Sequence, residues 1–278
     1  MVYVKKVLSF VFVIALLTSL FAIPASASST SWVSVYINNQ EFTGGIDVKD
    51  NTTFVDIRKF STSMDKNAKV TYNSSTKTLT VQTDNLYLTA TAGTNYIVAN
   101  GRYLYTELPI YLKNGVMYAP VLLMARAFDA KISWRDSNSS FYVTRGSGGI
   151  LSGSKYYDSD EVYWLAKIIS AESQGEPLLG KIAVGNVILN RVNSSEFPNT
   201  IYGVIFDRKY GTQFSPVANG TIYNDATWES TVAAKICLEE YSVSNKILYF
   251  VNPKFSPNSW ISRNRVFFRQ IGNHAFYI

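Results

Sequence analysis

The chain of 278 residues carries 26 Lys and Arg against 20 Asp and Glu, a formal net charge of +6. That length leaves room for two modest domains, each able to bury its own core. The positive charge is too small and too dispersed to indicate a nucleic-acid-binding protein. A single histidine, His274, and a single cysteine, Cys237, exclude an internal disulfide and a zinc-type site built from those ligands, so we expect no metal and no cofactor. Cys237 lies in a helical run and is predicted to be a buried thiol.

The N-terminus has the pattern of a secretory signal peptide over residues 1–27. Two lysines precede an apolar run, residues 7–23, and Ala25-Ser26-Ala27 then supplies the small residues of a cleavage site. A retained anchor is the alternative, but the run is short for a membrane span. We therefore predict a secreted protein with no membrane span after cleavage. Its mature chain would keep 24 basic and 20 acidic residues, a mild positive charge that suits an acidic wall polymer.

Residues 30–145 alternate between apolar and polar residues, which is typical of strands. They contain an internal repeat with an offset of 64 residues at its start and 62 later. The first copy covers residues 53–81 and the second covers 117–143. Each copy predicts a strand, a short helix, a strand, a turn and a strand. We expect a β-rich repeat domain without a catalytic constellation.

This repeat resembles the copper amine oxidase N-terminal-like domain, a small extracellular domain. Pro120 in the second copy stands at the proline of that pattern, whereas Asp56 replaces it in the first copy. Trp134 matches in the second copy and has Tyr72 as its counterpart in the first. The name does not imply copper, because the chain's histidine lies far outside this half. The resemblance leaves two roles open, which are attachment or spacing at the cell wall and a passive scaffold.

A stretch rich in glycine and serine, residues 146–155, is predicted to be a flexible tether between two domains. Its glycines lack the strand and helix context of a phosphate-binding loop. The second domain is predicted over residues 156–278. The whole chain therefore predicts an α+β protein in which a β-rich repeat domain precedes a mainly helical domain with short strands.

Residues 158–177 predict one helix with a defined start and end. Asp158 or Ser159 can cap its N-terminus, and acidic residues in the first turn interact favourably with the positive end of the helix dipole. Gly175 and Pro177 stop it.

An apolar stripe along that helix leads to a carboxylic acid. Val162, Leu165 and Ile169 recur at helical spacing, and the next position of the stripe is Glu172. Burying an ionised carboxylate costs several kcal/mol unless it is compensated, so a core-facing Glu172 should have a raised pKa. That is the property of a general acid for glycoside chemistry. Alternatively, Glu172 turns outward at the helix end or pairs with a lysine or arginine.

Further helices and turns are predicted after Pro177. A second helix is expected directly after this proline, and a third from about residue 224 to 241 with Trp228, Val232 and Ile236 facing inward. Trp260 is predicted to be a core residue, with a platform for a sugar ring as the slightly less favoured alternative.

Four segments in a fixed order over about the last 120 residues resemble the spore cortex-lytic, germination-type cell wall hydrolase family: LAKIISAESQGEPLLGKIAVGNVILNRVNSSEFPNTIYGVIF, QFSPVANGTI, YFVNP and IGNHAFY. The resemblance implies a lysozyme-like helical core with Glu172 as the catalytic acid. It also makes the loop after the second helix part of the cleft, with substrate-binding candidates Gln213, Phe214, Ser215 and Asn219. His274 belongs to the last segment and is predicted to be structural, with a direct catalytic role left open.

The number of carboxylates separates two mechanisms. A conventional glycosidase needs a second one, for which the candidates are Glu176, Asp207, Asp225 and Glu229. Glu176 is predicted to contact substrate, with a helix-capping or solvent role as the alternative. The family resemblance implies a lytic transglycosylase instead. In that reaction one glutamate protonates the leaving oxygen and then acts as base on the C6 hydroxyl of the substrate.

The predicted function is therefore cleavage of the glycan strand of peptidoglycan, in vegetative wall or spore cortex. A hydrolytic glucosaminidase or muramidase and a non-catalytic wall-binding protein are the alternatives. An amidase or endopeptidase is disfavoured, because those enzymes use several histidines or a Cys–His pair. We expect glycan strands as the partner and the cell wall or spore envelope as the location.

Overall fold

The computed structural model of the protein describes residues 33–209 and 211–278. The predicted signal peptide, residues 1–27, lies outside the described residues. Within the described ranges, no helix has both the length and the apolar composition that crossing a membrane requires.

The first domain consists of small sheets packed around two short helices, α1 (Ile57–Met64) and α2 (Val121–Ala127). Its strands are β1 (Ser34–Ile37), β2 (Gln40–Glu41), β3 (Ile46–Lys49), β4 (Thr52–Asp56), β5 (Lys69–Asn73), β6 (Thr78–Gln82), β7 (Tyr87–Thr91), β8 (Tyr96–Ala99), β9 (Arg102–Tyr105), β10 (Tyr111–Lys113), β11 (Val116–Pro120), β12 (Lys131–Arg135) and β13 (Ser140–Thr144). The sheet orders are β12-β13-β1-β2, β10-β11-β4-β3 and β5-β6-β7-β8-β9. Neighbouring strands are antiparallel except for the parallel pair of β1 and β13.

The predicted repeat has the same order of elements in both copies. The first is β4, α1, β5 and β6, and the second is β11, α2, β12 and β13. The residue that differs between the copies, Asp56 or Pro120, is in each case the N-cap of the helix. The Asp56 carboxylate accepts a hydrogen bond from Lys59 N at 3.1 Å, as a favourable N-cap residue does. The substitution between copies therefore leaves the fold of the repeat unchanged.

A hairpin that the sequence analysis did not predict joins the two domains. β8 and β9 are connected by Asn100 and Gly101, whose φ angles are 50° and 80°. Positive φ at both positions is typical of the tight turn that matches strand twist. Tyr103 of this hairpin is buried in the hydrophobic core of the second domain. One sheet of the first domain is thus part of the second domain's core.

The second domain contains the helices α3 (Gly153–Tyr156), α4 (Ser159–Ser173), α5 (Leu178–Val192), α6 (Ile201–Ile205), α7 (Ser215–Asn219), α8 (Trp228–Leu238) and α9 (Trp260–Asn264), and the strands β14 (Tyr249–Val251), β15 (Phe267–Ile271) and β16 (His274–Tyr277). Helices α4, α5 and α8 pack together, and β14-β16-β15 form an antiparallel sheet. Helix α5 approaches α8 closely at Gly185, where an added Cβ would lie 2.7 Å from Cys237 Sγ. Cys237 is 2% exposed, as predicted for a buried thiol.

The third predicted helix is shorter than expected. Helix α8 begins after Thr227, whose hydroxyl accepts a hydrogen bond from Ser230 N. Val232 and Ile236 are buried as predicted, but Trp228 is 67% exposed. The prediction of an inward Trp228 was therefore wrong, because this residue is the first of the helix and its indole lies at the surface, edge-on to the Tyr103 ring.

The segment predicted to be a flexible tether is packed against the first domain. Ile150 is buried, and its amide donates to Ala127 O at 3.1 Å. Two side-chain amides of the first domain also bind the segment, with Asn85 Nδ2 donating to Ser147 O at 2.9 Å and Asn100 Nδ2 donating to Ile150 O at 2.8 Å. Hydrogen bonds and burial therefore hold a stretch whose composition alone indicates flexibility.

A buried carboxylate connects the domains across their contact. Glu239, at the end of α8, is 2% exposed and accepts hydrogen bonds from both domains. Arg102 reaches it in a bidentate pair at 2.8 and 2.6 Å, Arg126 adds a bond of 2.7 Å, and Tyr157 OH donates at 2.6 Å. Charge-assisted bonds of this kind are among the stronger ones in proteins.

Candidate active site

A cleft of about 1400 Å³ opens on one side of the second domain. The end of α4, the start of α7, strand β14, helix α9 and the start of β16 contribute to its lining. Five of the six residues predicted to form the site lie in its wall, namely Glu172, Glu176, Gln213, Phe214 and Ser215. The sixth, Asn219, is exposed outside the lining, and its carboxamide oxygen accepts hydrogen bonds from Thr221 N and Thr221 Oγ1.

Helix α4 places Glu172 at the edge of the packed core. The Asp158 carboxylate caps the helix as predicted, accepting from Asp160 N at 2.8 Å and Glu161 N at 3.0 Å. The stripe residues Leu165 and Ile169 are fully buried. The next position of the stripe lies in the last turn of the helix, where the core ends and the cleft begins.

The Glu172 carboxyl group has no hydrogen-bond or ion-pair partner among residues 33–209 and 211–278. It is partly buried, and this burial raises its pKa to about 7. The cause is the loss of hydration, which disfavours the charged form. A carboxyl group that keeps its proton near neutral pH and faces an open cleft can donate that proton to a bound molecule.

Glu176 has a different environment although it lies one turn further along the chain. It is 8% exposed, and its two carboxylate oxygens accept from Asn273 N at 2.8 Å and Asn273 Nδ2 at 3.0 Å. Gly272 lies so close that an added Cβ would meet Glu176 Oε2 at 1.9 Å, and its φ of +58° also favours glycine. Glu176 therefore ties the β15–β16 turn to the start of α5. Its carboxylate is already occupied by protein donors.

The predicted loop contributes its three residues unequally. Phe214 is 3% exposed and forms part of the cleft floor, while Ser215 is exposed and Gln213 is partly exposed. Gln213 Nε2 donates to Gly211 O at 3.3 Å, so its amide oxygen remains available to a ligand. The polar groups and the aromatic face are those that saccharide sites use.

His274 lines the cleft beside Phe250 and the Glu176 turn. It is 7% exposed, and its Nδ1 is buried without a hydrogen-bond partner among the described residues. Burial lowers the pKa of His274, an effect that the nearby charge of Glu176 opposes. The imidazole is therefore neutral at neutral pH.

Two of the four candidate second carboxylates lie away from the cleft. Asp225 is exposed beside Lys167, at 3.8 Å, and Glu229 is exposed with an ion pair of 3.1 Å to Lys181. Asp207 does line the cleft, and so does the exposed Glu196, which the sequence analysis did not consider.

The cleft also contains residues that the sequence analysis missed. Arg191 and Arg265 lie around the ring of Tyr249, with guanidinium carbons 5.4 and 4.5 Å from the ring centroid. Phe255 is 77% and Trp260 is 56% exposed at the rim of the cleft. Trp260 is therefore not the core residue that was slightly favoured. Its indole is exposed beside the cleft, and a role as a sugar platform stays a prediction.

The cleft of this helical domain thus holds a carboxyl group of raised pKa that has no hydrogen-bond or ion-pair partner among the described residues. Residues 175–277 match the family model described as Cell Wall Hydrolase, and residues 36–143 match the one described as Copper amine oxidase N-terminal domain. The second domain of this chain belongs to the cell wall hydrolase family, and the first is a copper amine oxidase N-terminal-like domain. The first of these matches begins just after Glu172.

The chain is also similar to individual proteins. Over 121 residues the chain is 37% identical to a spore cortex-lytic enzyme from Bacillus cereus, a match that covers 43% of this chain and 45% of that protein. Over 120 residues it is 34% identical to the spore cortex-lytic enzyme of Bacillus subtilis, covering 43% and 38%. The match thus spans less than half the length of these curated relatives. A solved structure, the catalytic domain of the germination-specific lytic transglycosylase SleB from Bacillus anthracis, is 34% identical with a TM-score of 0.40, covering 46% of this chain and all of that one.

Proposed function

We propose that this protein cleaves the glycan strand of peptidoglycan and that Glu172 is its catalytic acid. The observation that carries the proposal is the Glu172 carboxyl group in the cleft, which no described residue pairs with and whose pKa is raised to about 7. A protonated carboxyl is what departure of a glycosidic oxygen requires. The names of the relatives, which are spore cortex-lytic enzymes and a lytic transglycosylase, support the choice of substrate.

The proposed reaction is that of a lytic transglycosylase. Glu172 gives its proton to the glycosidic oxygen as the bond from C1 to that oxygen breaks. The resulting carboxylate then takes the proton of the C6 hydroxyl of the same sugar, whose oxygen bonds to C1 and closes an anhydro ring. Glu172 is thereby reprotonated. The reaction consumes no water and needs no second carboxylate. Gln213, Phe214 and Ser215 would position the strand, while Glu176 would support the wall of the cleft through Asn273.

Hydrolysis is the second candidate, and it rests on Asp207. This carboxylate lines the same cleft, where it could activate a water molecule from across the scissile bond. Its Oδ1 accepts a hydrogen bond from Lys209 N at 2.9 Å.

The released ends of the glycan distinguish these reactions. Purified peptidoglycan from vegetative walls and from spore cortex is digested with the protein, and the muropeptides are analysed by mass spectrometry. We expect anhydromuramic ends. If the wild type releases reducing ends and Asp207→Asn does not, the reaction is hydrolysis and the transglycosylase mechanism is wrong. No released muropeptide from either substrate would overturn the proposed activity and leave a wall-binding protein.

The pH dependence of cleavage follows from the raised pKa of Glu172. The acid form must be present, so kcat/KM should be high below pH 7 and fall about tenfold per pH unit above it. His274 does not produce this decrease, because its lowered pKa places its titration on the acidic side. The measurement is the initial rate of soluble muropeptide release from pH 5 to 9 at constant ionic strength, with circular dichroism to verify folding. A rate that rises through pH 7 to 8 would exclude Glu172 as the acid.

We further propose that the protein acts outside the cytoplasmic membrane, at the cell wall or spore envelope. The relatives' names and the predicted signal peptide support this location. The first domain would then present the catalytic domain to the wall. Attachment through residues 33–145 remains a prediction.

A further inference from the structure

We propose that Arg191 and Arg265 form an anion subsite in the cleft that binds a carboxylate of the muramic acid unit. This inference rests on the proposed function, since it names the group of the glycan strand that the cleft recognises. In peptidoglycan, only one of the two alternating sugars bears a lactyl group. Its carboxyl is either free or extended by a stem peptide that ends in further carboxylates.

Arg191 is a buried cation to which residues 33–209 and 211–278 supply no anionic partner within contact distance. It is 5% exposed, and its Nε donates to Leu248 O at 2.8 Å. Its Nη1 is buried without a hydrogen-bond partner, and the side chain forms no ion pair among the described residues. Burial lowers its pKa to about 10, so the group is still charged at neutral pH. Asp207 acts on it through its field but lies beyond contact distance.

Such an arrangement needs a reason, because an unpaired buried charge costs several kcal/mol. Aromatic packing accounts for part of the position of Arg191, whose guanidinium carbon lies 4.8 Å from the Phe197 ring centroid and 5.3 Å from that of Phe214. Ring contacts stabilise the planar face of a guanidinium. They do not satisfy an in-plane N–H donor such as Nη1. A carboxylate bound beside the guanidinium group in the cleft would compensate its charge.

Arg265 supplies the second charge. It follows α9 and is partly buried, with its guanidinium carbon 5.1 Å from the Trp260 ring centroid. Its Nε is buried and also lacks a hydrogen-bond partner among the described residues. Arg191 and Arg265 contact the same Tyr249 ring and line the same cleft as Glu172. Unfilled guanidinium donors at one place favour a carboxylate, which accepts in the plane of the fork.

A carboxylate fixed at this point would set the register of the strand. The sugars alternate, so anchoring the acidic one determines which glycosidic bond lies beside Glu172. The neutral sugar in that place would leave both arginines without an acceptor, and a site with unpaired polar groups rejects such a ligand strongly. The subsite would therefore determine which of the two bond types is cleaved.

The test uses soluble glycan fragments of alternating N-acetylglucosamine and N-acetylmuramic acid in three forms. One has a free lactyl carboxylate, one has that group converted to the carboxamide, and one keeps its stem peptides. Their binding to Glu172→Gln, which prevents turnover, is measured by calorimetry. We expect at least tenfold tighter binding of a carboxylate form than of the carboxamide. Tight binding of the first form identifies the lactyl group as the source, and tight binding of only the third identifies the peptide.

Arginine variants of Glu172→Gln then show which residues cause the preference for carboxylate fragments. Adding Arg265→Gln should remove most of the difference, and Arg191→Lys should reduce it while keeping the charge. Arg263→Gln is the matched control, because Arg263 is an exposed residue of α9 outside the cleft lining. Its preference should stay unchanged.

If all three fragment forms bind Glu172→Gln with equal affinity, the proposed subsite is wrong. This outcome needs no arginine variant. The subsite is also wrong if the preference survives both Arg265→Gln and Arg191→Lys. The proposed function is judged separately by cleavage with the wild-type protein. If that protein cleaves carboxylate and carboxamide fragments with the same KM, the subsite fails and the proposed function stands.

Discussion

Replacing Glu172 by glutamine should reduce peptidoglycan cleavage by about two to four orders of magnitude while making the protein more stable above pH 5. The loss of activity follows from removing the proton donor, since general acid catalysis contributes roughly 10²- to 10⁴-fold. Glutamine keeps the shape and polarity of the side chain, so the cleft should keep its structure. The measurement is the rate of muropeptide release from purified wall.

The gain in stability follows from the direction of the pKa shift. The folded pKa of Glu172 is about 7, above its ordinary value of 4.5, so the folded state holds a proton that the unfolded chain releases. The resulting cost is absent below pH 4.5, grows as the pH rises towards 7 and is complete above it. At about 1.4 kcal/mol per pKa unit, it reaches about 3 kcal/mol at most. Glu172→Gln removes an ionisable group and with it this cost.

Urea unfolding at pH 4 and pH 8 measures the effect. The variant and the wild type should have equal free energies of unfolding at pH 4, and the variant should be more stable at pH 8. Glu196→Gln is the matched control, because Glu196 is an exposed carboxylate that lines the same cleft. It should change neither activity nor stability much. If Glu172→Gln retains wild-type cleavage, the assignment of the acid is wrong.

The position of Glu172 could be predicted because its determinants are local. The cap at Asp158, the stripe through Leu165 and Ile169, and the stop at Gly175 all lie within one helix. Periodicity therefore places the carboxyl at the end of a buried face, and the structure shows it there. The repeat of the first domain was predictable for the same reason, since each copy repeats its own short pattern.

The partners of the other site residues could not be predicted, because they come from distant parts of the chain. Glu176 is held by Asn273, and Arg191 and Arg265 meet at Tyr249. No spacing rule connects positions so far apart, and an arginine within a helix is ordinarily expected at the surface. The β8–β9 hairpin does have a local signal, the Asn100-Gly101 turn between short alternating runs.

Loss of the Glu239 carboxylate should destabilise both domains of the described structure. This carboxylate is 2% exposed and accepts from two guanidinium groups and the Tyr157 hydroxyl. Glu239→Ala would leave Arg102, itself 8% exposed, as a buried unpaired cation. Removing one partner of a buried ion pair costs about 3–5 kcal/mol, much of which is the penalty of the charge left behind.

Chemical denaturation distinguishes this interaction from an ordinary surface pair. Lys113→Ala serves as the control, because it removes an ion pair of similar length, 2.9 Å to Asp47, in which the lysine is 54% exposed. Exposed pairs of this kind contribute little to stability, because water and salt screen them. A Glu239→Ala loss no larger than that of Lys113→Ala would show that the contact between the domains does not depend on this carboxylate.

The Glu239 interaction also predicts how the two domains unfold. Arg102 and Tyr103 of the β8–β9 hairpin are neighbours in sequence, one bound to Glu239 and the other buried in the core of the second domain. Opening the contact between the domains would expose that core, so their separation would weaken the second domain. We therefore expect tryptophan fluorescence, which reports on both domains, and loss of cleavage to follow one transition in urea for the wild type. In Glu239→Ala, fluorescence and activity should shift together to lower urea, and activity lost well before fluorescence would mean that the domains unfold independently.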